Sequence, residues 1–227
     1  GGQPLCRAGP GGGLLMDRLN GLARRVPTWV VYGLGLVPLG FLLWGALFGG
    51  LGIDPVKAIE HRLGELGLQL LLAGLAITPL RRVGVNLIRF RRALGLLAFF
   101  YIALHLVAWI WLGMGLRWSE MAADLMKRPY VMLGMLGFAV LVPLALTSTN
   151  AAIRRMGPVA WGRLHKLVYV AILAGVLHLL LLTRVWTTEI LVYAALALLL
   201  LALRLLPKAA RRRPLAAQVA TKLPQEG

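Results

Sequence analysis

Six long apolar stretches restrict this chain to one kind of fold. They run from Val30 to Phe48, Leu66 to Leu80, Leu94 to Met114, Tyr130 to Leu146, Leu164 to Thr183 and Ile190 to Leu206. About 20 apolar residues cross the roughly 30 Å hydrocarbon layer as a helix. Inside that layer a helix satisfies its own backbone donors and acceptors, which an open strand does not. The expectation is an all-α integral membrane protein, a six-transmembrane-helix bundle over residues 27–206, with spans two and four the shorter ones. Thr78-Pro79 falls near the end of span two, where a proline interrupts a helix least. The mean hydropathy of +0.77 agrees.

The first stretch follows Arg18, Arg24 and Arg25 and so has the flank of a signal peptide. It is too long for a signal-peptide core, has no small-residue cleavage site after it and is followed by further spans. It therefore reads as an anchored helix. Residues 1–26 read as a disordered, basic amino-terminal segment and 207–227 as a basic tail. Within the former, the Gly/Pro-rich residues 1–15 cannot bury a core and read as disordered or foreign to the natural chain, with Met16 a candidate start.

Charge orients the bundle. The net charge is +17. Nineteen of the 25 basic residues lie in the amino terminus, the 81–92 loop, the 150–166 loop and the carboxy-terminal end, with only Asp17 and Glu226 as acids. The other three loops hold six basic and six acidic residues. Basic loops stay inside, so both termini are expected in the cytoplasm and the odd-numbered helices run outward. A nucleic-acid partner is not expected, because these charges alternate with membrane spans and do not cover a soluble face.

Cys6 is the single cysteine, so no intramolecular disulfide and no thiolate metal site can form. Without Cys-x-x-Cys-His, any heme is held non-covalently. No loop between the stretches exceeds about 17 residues, too short for a hidden catalytic domain. Phosphate-binding loops and Ser/His/Asp sets are missing as well. The chemistry must use residues of the bundle or a cofactor within it.

The four histidines are therefore placed by depth. His105 lies thirteen residues after Arg92, which marks the inner edge of span three; His178 lies thirteen residues after His165 on span five. Spans three and five run the same way, so His105 and His178 share a depth in the outer half of the membrane. Facing imidazoles can fill both axial positions of a heme iron. Each could instead be a solitary histidine bonded to nearby backbone, but two at one depth favour heme, because ionisable residues in spans are rare.

His165 sits at the inner edge, roughly 20 Å along the helix from His178. Its symmetric partner position lies near Arg91, where there is no histidine. It holds a second heme with an unidentified ligand, or a quinone or flavin, or it caps an interfacial polar cluster. On an ideal helix the two histidines would be about 140° apart; Gly175 offers local distortion or close packing. His61 starts span two on the outer side and is either an exposed helix-start residue or an outer-face contact. Arg91, Arg92 and Arg82 read first as positive-inside charge and secondly as partners for heme propionates or a flavin phosphate. The tryptophans near span ends read as an interfacial belt, and Gly134-x-x-Gly137 as a weak helix-packing signal.

A set of ordered motifs adds to this. Asp54-Pro55-Val56-Lys57, Ile77-Thr78-Pro79-Leu80, Arg91-Arg92-Ala93-Leu94-Gly95, Leu104-His105, Arg128-Pro129-Tyr130, Thr147-Ser148-Thr149-Asn150, Leu164-His165-Lys166-Leu167-Val168-Tyr169 and His178 resemble the MsrQ/YedZ family. These are heme-binding membrane subunits of the periplasmic protein-methionine-sulfoxide reductase system, within the ferric-reductase-like transmembrane superfamily. The resemblance covers roughly Arg18 to Leu206. It implies a ferric-reductase-like cytochrome b without its own dehydrogenase domain. Electrons would come from the quinone pool or a cytosolic flavin reductase and go to a periplasmic molybdenum-cofactor subunit. It also implies heme b, with FMN reported for the family, and puts His105, His165 and His178 in the heme-ligand places. The fourth histidine that oxidase-like relatives carry on span three is missing here.

Two other classes remain: a small transporter or sensor using the histidines in an ion path, and a cytochrome b anchor of another redox complex. No inverted repeat or pair of broken helices favours the transporter.

Overall fold

The computed structural model describes residues 12–205. These are helical throughout apart from short connections. Ten α-helices follow one another: α1 Gly12–Arg25, α2 Thr28–Phe48, α3 Pro55–Arg82, α4 Arg91–Ala108, α5 Trp118–Lys127, α6 Pro129–Leu146, α7 Asn150–Met156, α8 Pro158–Leu164, α9 Val168–Leu182 and α10 Thr188–Leu205. A 3-10 turn at Ile88–Phe90 leads into α4 and a π-turn at Trp109–Gly113 extends it. Among the described residues, five segments are long and apolar enough to cross a membrane: Thr28–Phe48, Pro55–Arg82, Ile88–Gly113, Pro129–Leu146 and Pro158–Leu182. Helix α10 occupies the place expected for a sixth.

Three differences from the sequence reading have local causes. The second span is the longest helix, 28 residues, not one of the shorter ones. Its polar first three turns are helical because Asp54 caps them, accepting from the Lys57 amide at 3.1 Å, with Pro55 at the first helical position. The exposed Asp54 carboxyl is held below its usual pKa by its hydrogen bond to the Lys57 side chain, 2.8 Å away. Secondly, residues 12–25 form a helix, where the sequence suggested disorder; residues 1–11 and 206–227, including the expected tail, lie outside the described residues. Thirdly, span five is not one continuous helix. Helices α8 and α9 are joined by a 3-10 turn at His165–Leu167. Such a turn advances about 120° per residue, against about 100°, which narrows the His165–His178 offset from about 140° to roughly 80°. The distortion is at His165. Gly175 instead lies inside α9, at the close approach to Gly137.

Two helix pairs build the core, α3 with α4 and α6 with α9. Leu68, Leu71, Leu72 and Leu75 of α3 pack with Ala98 of α4, Leu141 and Leu144 of α6, and Ala171, Ile172 and Val176 of α9. Helix α2 joins from the side. Tyr101, fully buried, donates its hydroxyl to Gly35 O at 2.6 Å, and Gly35 leaves room for Leu97. Most of the remaining surface of α2 is exposed and apolar, as a lipid-facing helix is.

The arginine-rich segments meet at one end. Arg82 donates to Leu203 O at 2.7 Å, Arg204 reaches Leu75 O and the Tyr169 hydroxyl, and Asn20 bonds Gly84 O. The opposite end, near neutral in charge, carries α5 and the starts of α3, α6 and α10.

Candidate functional site: two histidine sites at opposite ends of the bundle

Near the neutral end, α4 and α9 bring His105 and His178 together. Their ring centroids are 6.2 Å apart and the ring planes lie 79° from each other. His105 Nδ1 is 2.8 Å from Glu60 O on α3, and His178 Nδ1 is 2.6 Å from Tyr130 O on α6. A carbonyl oxygen only accepts, so each Nδ1 carries the proton. That leaves each Nε2 as an unprotonated nitrogen, the form in which an imidazole binds metal. A backbone carbonyl on the far nitrogen is the usual way a metal-binding histidine is oriented.

The two halves of this site are built alike. On α3, Glu60 supplies the carbonyl and Gly64, four residues on, lies under the His105 ring. On α6, Tyr130 supplies the carbonyl and Gly134, again four residues on, lies under the His178 ring. A Cβ at Gly64 would come within 3.2 Å of His105 Nδ1, and one at Gly134 within 2.9 Å of His178 Nδ1. Three residues later a second glycine admits the partner helix: Gly67 faces Ile102 of α4, and Gly137 faces Ala171 and Ala174 of α9. Bare helix surface under each ring is what allows the imidazole to reach a main-chain oxygen on its neighbour.

The start of α6 is fixed as well. Arg128 binds Asp124 at 3.1 Å and donates to the Tyr130 hydroxyl at 2.9 Å, and that hydroxyl bond leads the factors that raise the guanidinium pKa.

The pair passes a simple test for heme iron. Two iron–nitrogen bonds of about 2 Å, plus about 1 Å from each nitrogen to its ring centre, put the centroids about 6 Å apart. An edge-to-face aromatic contact also spans this distance. It does not by itself call for both Nδ1 protons to be fixed on backbone and both Nε2 atoms left free.

At the arginine-rich end a cavity of about 420 Å³ opens between α3, α4, α6 and α8. Its polar wall consists of Arg89, Arg91, Arg92, Ser148, Trp161 and His165; the rest is apolar. His165 Nδ1 donates to Trp161 O at 3.1 Å, within its own helical turn, and its ring stacks on the Trp161 indole at 3.8 Å. Trp161 Nε1 donates in turn to Thr147 O at 2.8 Å. Ser148 Oγ is 3.5 Å from His165 Nε2 but sits only 2.6 Å from Leu144 O, where its proton goes. His165 Nε2 thus lies at the cavity wall beside Ser148 Oγ. The lining includes no second histidine.

The structure brings Arg91 and Arg92 to the wall of this cavity. It does not bring Arg82, whose guanidinium bonds the end of α10 and is not part of the lining. Helix α3 carries Arg82 about two turns beyond Leu75, the last α3 residue on the wall. His61 is exposed at the start of α3.

Known proteins resemble the chain closely. The model of the ferric reductase like transmembrane component matches residues 63–176, half of the chain, from α3 to α9. The heme-binding subunit MsrQ of the protein-methionine-sulfoxide reductase of Brucella anthropi is 43% identical over 188 residues, covering 82% of this chain and 85% of its own. The MsrQ subunits of Caulobacter vibrioides and Agrobacterium fabrum are 46% and 47% identical, over 73% and 78% of this chain and 82% of each of theirs. The chain belongs to the MsrQ family. The region matched by the family model begins at Leu63, just before Gly64, holds α4 and α6 whole with parts of α3 and α9, and ends at Val176, just before His178.

Sequence reasoning singled out His105, His165 and His178 but not the groups that hold them. Gly64-x-x-Gly67 was unread, although it repeats the Gly134-x-x-Gly137 spacing. Trp161 was assigned to the interfacial belt, and nothing in its own neighbourhood marks it as the platform for His165. Glu60 and Tyr130 act through main-chain oxygens, which no side-chain pattern reveals.

Proposed function

We propose that this chain is a b-type cytochrome subunit that passes electrons across a bacterial inner membrane to a periplasmic, molybdenum-dependent methionine sulfoxide reductase subunit. The observation that carries this reading is the His105–His178 pair, each ring tied through Nδ1 to a neighbouring helix with Nε2 free. The relatives named as heme-binding subunits support it. A heme bound there supplies reversible one-electron chemistry. His105 and His178 would hold its iron through their Nε2 atoms, with the tautomer fixed by the Glu60 and Tyr130 carbonyls and an apolar surround, and two such protein ligands would favour electron transfer over oxygen chemistry.

The cavity at the arginine-rich end is the second cofactor or donor site. Its indole-stacked imidazole and the Arg91 and Arg92 guanidinium groups suit a planar redox group that carries anionic substituents or carbonyl acceptors: a second heme, an FMN or a quinone from the donor pool. The donor is quinol or a cytosolic flavin reductase. In this reading the bundle crosses the membrane six times, α10 included, with the arginine-rich end and both termini in the cytoplasm.

The test is heme iron per chain together with dithionite-reduced minus oxidised spectra. A Soret and α band of a bis-histidine heme, lost in His105→Ala and in His178→Ala, is expected. Protein expressed with ample heme and purified without any would leave the pair as an aromatic contact and favour an ion-path role. Co-purification of a periplasmic sulfoxide-reducing molybdoenzyme, and not a hydrogenase or formate dehydrogenase, separates this subunit from other cytochrome b anchors.

A further inference from the structure

Helix α1 takes no part in either histidine site, yet it is held in a defined place. It is 14 residues long, about 21 Å. Three faces run along it. Met16, Asn20 and Ala23 are half-buried and turn to the loop between α3 and α4. Asn20 donates to Gly84 O and accepts from the Asn86 amide, both at 2.8 Å. Arg89 donates to Arg24 O at 2.6 Å and Ala23 O at 3.3 Å, so a guanidinium caps the last carbonyls of α1.

The second face is apolar: Leu19 is 42% and Leu22 63% exposed, and half-buried Val26 continues their line one turn on. Arg18 and Arg25, seven residues apart and both exposed, flank this strip on the side away from the docked face. Arg24 and Asp17 lie opposite it.

The height of the helix is set by its connections. Only Val26 and Pro27 separate α1 from α2, the first membrane-crossing helix, and two residues reach at most about 7 Å. The loop that grips the other face joins two further crossing helices. Helix α1 is therefore tied on both sides at the level where hydrocarbon gives way to headgroups. A strip of two leucines and a valine is far smaller than the roughly 1,000 Å² needed by a stable protein interface, whereas lipid is already present at this level.

We propose that α1 is an interfacial helix: its Leu19–Leu22–Val26 strip beds in the leaflet at the arginine-rich end, and Arg18 and Arg25 take anionic phospholipid headgroups. This arrangement, an apolar strip edged by cations and lying in the membrane plane, is the form in which helices bind charged bilayers. It goes beyond the electron-transfer reading and does not depend on it.

The test uses the full chain with Cys6→Ser and Leu22→Cys, labelled with an environment-sensitive fluorophore. The protein is placed in nanodiscs of phosphatidylcholine alone or mixed with phosphatidylglycerol. In the mixed discs the label should emit to the blue and be quenched by lipids carrying a nitroxide near the headgroup. Omitting phosphatidylglycerol, or adding Arg18→Gln with Arg25→Gln, should weaken bedding by about fivefold per arginine lost. A label at Asp17→Cys, on the far face, should stay in water throughout. Emission from water by the Leu22 label in mixed discs overturns the proposal. So does quenching that ignores lipid charge, or shielding seen only in discs that hold two copies.

Discussion

The two histidine sites are held in opposite ways. His105 and His178 each bond a main-chain oxygen on a different helix, and each lies over a glycine of that helix. His165 bonds the carbonyl four residues before it and stacks on that same residue, Trp161. The neutral-end pair therefore exists only when four helices are packed. The arginine-rich-end histidine is oriented largely by its own turn, and the surrounding helices supply a cavity around it. The first arrangement suits a cofactor gripped from both sides; the second leaves one side open for a ligand that comes and goes.

The largest effect should follow from breaking the pair. His105→Ala or His178→Ala should each remove the same heme, by more than the roughly 100-fold that loss of an outer-shell partner costs. Heme iron per chain and the reduced-minus-oxidised spectrum report it. Full heme in one of the two variants would mean that the rings do not share an iron.

Next come the glycines. Gly134→Ala and Gly64→Ala force a methyl to within 2.9 Å and 3.2 Å of the ring nitrogens. Each should weaken heme retention by about tenfold, Gly134→Ala more than Gly64→Ala, and shift the band position. Wild-type spectra and retention in both would sever the link between helix clearance and ligand geometry.

At the other end, His165→Ala should leave the His105–His178 heme in place. Arg91→Gln, or Arg92→Gln, should weaken binding of an anionic or quinone-type probe in the cavity by about tenfold each, measured by titration with FMN or a quinol analogue. Loss of the neutral-end heme in the His165 variant would mean that the two sites are one structural unit. The smallest effect is that of Trp161→Phe, which keeps the stack on His165 and removes the bond to Thr147 O. It should cost about 1 kcal/mol of stability, read from thermal denaturation in detergent, with both cofactor signals retained.

Much of the architecture was legible because lipid forces it. Apolar length located the crossing helices, and counting from the arginines placed His105 and His178 at one depth. The Asp54-Pro55 cap was present in the sequence as well, but the polar turns after it hid how far α3 extends. The cavity was not legible. It is a gap among four helices, lined mostly by the same leucines that elsewhere make a core, and Arg82 could be removed from it only once α3 had a length and a direction.

The sequence by itself determined which segments lie in the membrane and how deep each histidine sits, because hydrophobic length and helical rise are properties of one strand of chain. Only the tertiary structure decided which way the imidazoles turn. Their orientation depends on main-chain oxygens at Glu60 and Tyr130 and on the missing side chains at Gly64 and Gly134, all on neighbouring helices. For His165 it depends on a 3-10 turn that breaks span five where its apolar pattern runs on without interruption.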